Sequence, residues 1–269
     1  MLGLVVMFLG GSGLVYEYCL STLATHLVGN SVEQFSLIIA LMLFAMGIAG
    51  WAQRGLKNDR SLAFYFVSVE IALAVIGGAS SLTLYLAFGW LDHFRFVLYS
   101  LALLIGFGIG LEIPLLLRIN AYWRKTLSDN VSDILALDYV GALIGALIWA
   151  FVLLPWLPLD QISLLLGLAN LVAAIVTLYI LKSMLQRYLL LLWTGISVAA
   201  GLLLSMLLFG PTLIDDARQN LYADPIRHHA KSLYQDIVVT GFGPRMSLYL
   251  NGKLQFDTED EFIYHEMLV

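Results

Sequence analysis

Apolar residues dominate this chain in long runs, broken by short polar stretches rather than by regular alternation. Seven runs, approximately 2–24, 34–53, 61–90, 96–117, 134–157, 161–181 and 188–210, reach the roughly 20 residues that cross about 30 Å of hydrocarbon. None contains Lys or Arg. The third is the longest and carries Gly77-Gly78 in its middle, which leaves open whether it spans or re-enters. From 234 onward the pattern changes. Tyr234 to Thr240 is a β-branched run, Gly241-Phe242-Gly243-Pro244 a turn, and Ser247 to Phe256 a second extended run with Asn251-Gly252 as another turn signal. Ile237 and Val239 set against Leu248 and Leu250 give the strands one apolar face. Thr258-x-x-Glu261 reads as a capping box opening a helix near Asp260.

The predicted fold class is therefore an all-α polytopic membrane helix bundle of about seven spans over 1–210, a linker over 211–233, and a small antiparallel β-unit over 234–269. The last helix breaks off at Val269, so the tail reads as the start of a longer domain. Two strands bury too little to stand alone, so the tail should be ordered only against the bundle, a partner copy or further sequence.

Composition agrees with a membrane body. Sixty per cent of residues are hydrophobic, 12% are charged, and the mean hydropathy of +0.87 excludes an ordinary soluble globule. Residues 1–210 hold nine Lys/Arg and ten Asp/Glu, whereas the much shorter 211–269 holds five and nine. Basic residues occupy alternate loops: Arg54, Lys57 and Arg60, then Arg118, Arg124 and Lys125, then Lys182 and Arg187. The other loops carry Glu33, Asp92-His93-Phe94-Arg95 and Asp160. The positive-inside rule puts the first set in the cytoplasm, giving a multi-pass cell (inner) membrane protein with an extracytoplasmic tail unless one run is re-entrant. Trp90, Trp123, Trp156 and Tyr188 suit an interfacial belt. No secretory leader is visible, and the lack of charge before Glu17 suggests a shortened N-terminus. A net charge of −5 without a basic stripe argues against nucleic acid, leaving the bilayer and further copies in a homo-oligomer as expected partners. Cys19 alone offers neither a disulfide nor a multi-Cys metal site. His26 and His93 suit plain interfacial roles, and the adjacent His228-His229 are a weak metal signal without a nearby carboxylate pair, so no metal is expected.

Glu17, Glu70, Glu112 and Asp138 lie inside spans, where a charge costs about 2.5–3.5 kcal/mol at mid-bilayer. Each shares a helix face with small residues: Gly10, Gly13 and Ser21 with Glu17; Ala74, Gly77 and Ser81 with Glu70; Gly108 before Glu112; Gly141 and Gly145 after Asp138. Small residues mark helix seams, so all four should point at protein. Pro114 frees the Gly110 carbonyl and should kink the helix beside Glu112. Two roles stay open: protonated acids bonding to Tyr16, Tyr139 or backbone, or a site for a polyamine, small cation or proton. Gly106-Phe107-Gly108-Ile109-Gly110 sits in an apolar run with no preceding strand, so it is a packing face and not a phosphate loop.

The blocks Tyr234-Gln235-Asp236-Ile237, Leu250-Asn251-Gly252-Lys253-Leu254-Gln255 and Asp260 through Met267 resemble, in order, the spermidine synthase (polyamine aminopropyltransferase) family. Asn251-Gly252-Lys253 departs from the family's usual Asp-Gly followed by a β-branched residue. Ser12 through Glu17, Thr22 through Ser36, Gly110 through Pro114 and Leu135 through Ala142 resemble the membrane domain fused to some bacterial members. The resemblance implies an N-terminal β-domain packed against a Rossmann-like catalytic domain. It implies transfer of an aminopropyl group from decarboxylated S-adenosylmethionine, a co-substrate, to an amine such as putrescine, with no resident cofactor in these residues. It implies that Gln235 contacts the nucleoside and that Tyr264 and His265 line the amine pocket. Catalytic acids and the donor loop are expected beyond Val269, so these 269 residues alone should be inactive. The alternatives are a small-cation or polyamine transporter or binding protein with a non-catalytic tail, and a scaffold that has kept the fold without the chemistry.

Overall fold

The computed structural model describes residues 2–56, 61–91, 93–121, 126–232 and 235–268. Lys57, Arg60, Asp92, Trp123, Arg124, Lys125 and Tyr234, which entered the sequence argument, lie outside them. In chain order the elements are α1 (Leu2–Val28), α2 (Ser31–Ala52), α3 (Leu62–Trp90), α4 (Phe94–Asn120), α5 (Leu127–Ile148), α6 (Leu154–Trp156), α7 (Leu159–Ile180), α8 (Lys182–Leu185), α9 (Leu189–Gln219), β1 (Ile226–Lys231), β2 (Asp236–Phe242), β3 (Arg245–Leu250), β4 (Lys253–Asp257) and α10 (Glu261–Leu268). Seven helical stretches among the described residues have the length and apolarity to cross a membrane. α3 runs through Gly77-Gly78 as a single helix.

Glycines set the packing. α1 and α5 run parallel, with a Cβ at Gly145 falling 2.6 Å from the Gly11 carbonyl oxygen and one at Gly10 falling 2.6 Å from an Asp138 carboxyl oxygen. Gly106 and Gly110 lay α4 on α2 at Met42 and Met46. Gly78 and Gly167 bring α3 against an antiparallel α7, where Ser163 donates to the Gly78 carbonyl at 3.2 Å and Ser81 to the Leu159 carbonyl at 3.2 Å. α9 runs parallel to α3, with Gly89 on the Ala217 backbone. α3 thus sits at the centre, touching α1, α4, α7 and α9. α5 passes through a π-helical turn at Trp149–Leu153, where Leu154 N–H reaches back to Trp149. Pro155, which has no N–H and would crowd the carbonyl four residues back, accounts for that widened turn.

At one end the Arg118 guanidinium ties α4 to the end of α2, donating to the carbonyls of Gln53 at 3.3 Å and Leu56 at 2.7 Å. Arg54, Lys182 and Arg187 close the helices at that end. The sheet sits at the opposite end, against the last turns of α1, α3 and α9.

The segment 211–233 is not the expected linker. α9 runs through Pro211 to Gln219, because Ile214 and Ala217 are buried against α3 and hold the last turns. Ile226–Lys231 then adds a strand, making a four-stranded antiparallel sheet in the order β1-β2-β3-β4. Asn251 and Gly252 turn β3 into β4, both with positive φ (51° and 73°), as an Asn-Gly type I′ turn requires. Ile237 pairs with Leu250 and Val239 with Leu248, but the face they share is only half-covered. The buried face is the other one, carrying Val238, Thr240, Ser247 and Asp257. The capping box is also corrected. Thr258 Oγ1 accepts from Met246 N–H at 3.0 Å across the sheet, and Asp257 instead accepts from Glu259 N–H at 2.9 Å before α10 begins.

Gly145→Ala should lower stability by about 1–3 kcal/mol, because its methyl meets backbone that cannot withdraw. Gly47→Ala, whose Cβ would meet nothing within 4 Å, should leave the melting temperature unchanged or slightly higher. Equal melting temperatures for the two variants in detergent would contradict this packing.

Candidate functional site

Two regions concentrate polar chemistry. The first lies inside the bundle. Glu70 on α3 and Glu112 on α4 are buried, with 0% and 4% of their surfaces exposed. The helix register explains their meeting: Leu73 packs on Gly108, so the antiparallel α3 and α4 bring position 70 level with position 112. The two carboxyls lie in electrostatic reach of each other, and the Tyr16 phenol on α1 lies in reach of both. Tyr16 packs its ring on Gly77 and is 1% exposed. The Glu70 carboxyl meets that of Glu112, side chain to side chain, whereas the Tyr16 hydroxyl has no hydrogen-bond partner among the described residues.

Asn170 on α7 belongs to the same layer and was missed from sequence. It follows Ser163 and Gly167 on the stripe that faces α3, and the antiparallel register that sets Gly167 beside Ala74 puts Asn170 level with Ile71. Both atoms of its amide are buried without a hydrogen-bond partner among the described residues. An Asn one turn past a glycine in an otherwise apolar run was the available signal, the same one that drew attention to the acids.

The four acids are not equivalent. Asp138 is half-buried, seated against Gly10 and in electrostatic reach of Glu112. Glu17 is half-buried. Gly11 is level with Gly145, so Glu17 comes level with Phe151, where α5 has entered its π-helical turn and no longer offers a glycine seam. Tyr139 points away from the bundle, 68% exposed, and cannot bond the buried acids.

The second region is the seam between the bundle and the sheet. His26, Tyr85, Phe88, Arg218, Tyr222 and Asp236 line a cavity of about 40 Å³, room for about three or four waters. Tyr222 stacks edge-on against Tyr249 at 4.7 Å between ring centres. Burial, then the nearby Asp236 carboxylate, pushes the Tyr222 phenol up to about 12. His229 and Asp236 bond at 2.6 Å, so the carboxylate absent from sequence beside the histidine pair arrives from the next strand. No cluster of metal-binding residues occurs among the described residues.

Of the residues assigned to the amine and nucleoside pocket, Gln235 is exposed at the start of β2, where its N–H donates to Ser232 Oγ at 2.9 Å. Tyr264 and His265 lie on α10, and their side chains are outside the described residues. Beneath the sheet, Asp257 accepts from Arg245 at 2.9 Å and from Ser247 at 2.6 Å. The Arg245 guanidinium, then Ser247 and the Glu259 N–H, hold the Asp257 carboxyl down at about 2.

No protein-family model matches the chain, and no solved structure matches it significantly. Curated proteins do. The chain is 40% identical over 99% of its length to polyamine aminopropyltransferase 1 of Streptomyces coelicolor. It is 37% identical over 98% to polyamine aminopropyltransferase of Leptospira interrogans and 37% identical over its whole length to polyamine aminopropyltransferase 2 of Aquifex aeolicus. It covers 51%, 52% and 53% of these three proteins, so the chain spans about half the length of the curated relatives it matches.

A carboxylate held below its unfolded value of about 3.9 stabilises the fold above that pH and loses the contribution as pH falls toward about 2. Amide exchange in β3 and β4 should therefore speed up on acidification below about pH 4. Asp257→Asn should show fast exchange already at neutral pH. Exchange in wild type that ignores pH over that window would remove the Arg245–Asp257 pair as a support of the sheet.

Proposed function

We propose that this chain is the membrane-embedded bundle and the small β-domain of a polyamine aminopropyltransferase of the spermidine synthase-like family. The observation that carries it is identity of 36–40% along nearly the whole chain to proteins of that name. The sheet followed by α10, in the order of the three resembling blocks, supports it. The reaction would move an aminopropyl group from the sulfonium of decarboxylated S-adenosylmethionine to an amine such as putrescine. The amine must be deprotonated and aligned with the carbon it attacks, which calls for polar side chains around it. Gln235 is assigned to the nucleoside side of that site, and Tyr264 and His265 to the amine side. Catalytic acids and the donor loop are assigned to the half of the relatives that the chain does not match, so these residues alone would be inactive. A homo-oligomer would give the half-covered sheet face a second surface to pack on.

The bundle would sit in the cell membrane. Arg54, Arg118, Lys182 and Arg187 gather at the end opposite the sheet, which by positive-inside counting supports an extracytoplasmic sheet. A second reading, a small-cation or polyamine-binding membrane protein with a non-catalytic tail, is favoured by one observation: Glu70 and Glu112 are buried together with no basic residue in their spans.

In the full-length protein, Tyr264→Phe with His265→Ala should cut amine-dependent transfer by about tenfold or more while the sheet stays folded. Unchanged turnover and amine affinity would remove these residues from the site. Sidedness is tested separately by cysteine introduced at position 93 in intact cells. Labelling by an impermeant reagent from outside is expected, and labelling from the cytoplasm alone would place the sheet inside.

A further inference from the structure

We propose that an open cleft at the sheet end of the bundle, between the last residues of α1 and α3 and the first of α4, holds one anionic phospholipid with its phosphate on Arg95. The cleft measures about 460 Å³. Val28 closes it from α1, Phe88 from α3, and Phe94 and Phe96 from α4. Phe88 and Phe94 meet edge to face at 5.2 Å between ring centres and give it an apolar floor. Its polar lining is Arg95 and His93, and no lining residue is a carboxylate. Arg95 is exposed and forms no hydrogen bond or ion pair among the described residues. Its position also runs against the charge pattern of the bundle. Arg54, Arg118, Lys182 and Arg187 gather at the other end, whereas Glu33 and Asp160 mark the helix connections at this one.

The two kinds of lining select the occupant. A soluble anion would meet Arg95 and leave the aromatic floor bare, and a plain hydrocarbon chain would fill the floor and leave the cation unused. A phospholipid does both, with a phosphate that the guanidinium fork can bind through two N–H groups and an acyl chain that lies against Val28, Phe88 and Phe94. The cleft sits where three apolar helices end, flanked by Trp90 and Phe96, 65% and 76% exposed. Exposed aromatic rings at span ends suit the depth of lipid headgroups. The inference rests on the reading of the bundle as membrane-embedded and is independent of transferase activity.

The test melts the full-length protein in detergent with dioctanoyl phosphatidylglycerol, dioctanoyl phosphatidylcholine or glycerol 3-phosphate added. Phosphatidylglycerol should raise the melting temperature saturably, by roughly 5–10 °C at a hundredfold excess over the dissociation constant. Phosphatidylcholine should act only at much higher concentration, and glycerol 3-phosphate should have no effect. Arg95→Gln should raise the half-maximal phosphatidylglycerol concentration by about tenfold or more. Its melting without lipid should match wild type, because Arg95 supports no other group. Val28→Trp, which fills the cleft, should abolish the response, and Arg187→Gln at the opposite end should leave it intact. An equal response to the two lipids would overturn the proposal, as would an unchanged half-maximal concentration in Arg95→Gln. Stabilisation by glycerol 3-phosphate as strong as by the lipid would overturn it too. Release of the protein from cell membranes by alkaline carbonate would sink the membrane reading, whereas retention without a preference for phosphatidylglycerol would overturn the lipid site alone.

Discussion

The contact on which the rest depends is the approach of helix backbones through glycine. Small residues let helix backbones come close, so that packing and polar contacts between them hold the bundle. Gly10, Gly11, Gly141 and Gly145 do this between α1 and α5, Gly106 and Gly110 between α4 and α2, and Gly78 and Gly167 between α3 and α7. The buried acids follow from these seams. Glu70 lies one turn before Ala74 on the stripe that packs on α7, and Glu112 one turn past Gly108, which packs on Leu73. Were the helices spaced by leucines, neither carboxyl could be enclosed by four neighbours.

The sheet depends on the same device at one remove. α9 outlasts its apolar stretch because Gly89 on α3 admits the Ala217 backbone, and that contact carries the helix past Pro211. The extra turns put Arg218 and Tyr222 under the sheet, where Tyr222 meets Tyr249. The sheet therefore lays its polar face, with Asp236, Thr240 and Asp257, toward buried surroundings and leaves its more apolar face half-covered. Polar burial is tolerated because the groups pair: Asp236 with His229, and Asp257 with Arg245 and Ser247.

Sequence showed the helices well because each apolar run is long and lacks Lys and Arg, and it showed the β3–β4 turn because Asn-Gly demands positive φ. It was less informative wherever a neighbour decides the outcome. The apolar run stops at 210, yet α9 continues through Pro211 to Gln219 with Ile214 and Ala217 buried. Thr258 looked like a cap, yet its hydroxyl was taken by Met246 across the sheet. The alternation of Ile237 and Val239 named the apolar face correctly, but the aromatic platform that buries the opposite face comes from a segment with no strong pattern of its own. Within the bundle, face periodicity placed Glu70 and Glu112 in seams. It could not separate them from Glu17, which is only half-buried.

Depth keeps the two polar regions chemically separate. Glu70 lies eight residues into α3 and Glu112 eight residues before the end of α4, so both sit about 12 Å inside the basic end. Phe88, at the sheet seam, is 18 residues further along α3, or roughly 27 Å. An amine held at the sheet cannot touch the buried acids, and no side chain bridges that span. Communication between them would require movement of α3, the helix that carries both Glu70 and the Tyr85–Phe88 wall of the seam. α3 is poorly placed to slide. Gly78 meets Gly167 on one side and Gly89 meets Ala217 on another, backbone against backbone, with Ser163 and Ser81 bonded across the α7 contact. Translation by a fraction of a turn would drive a neighbouring Cβ into those glycine notches. The geometry therefore keeps the buried acid layer and the sheet seam apart, each held by its own packing.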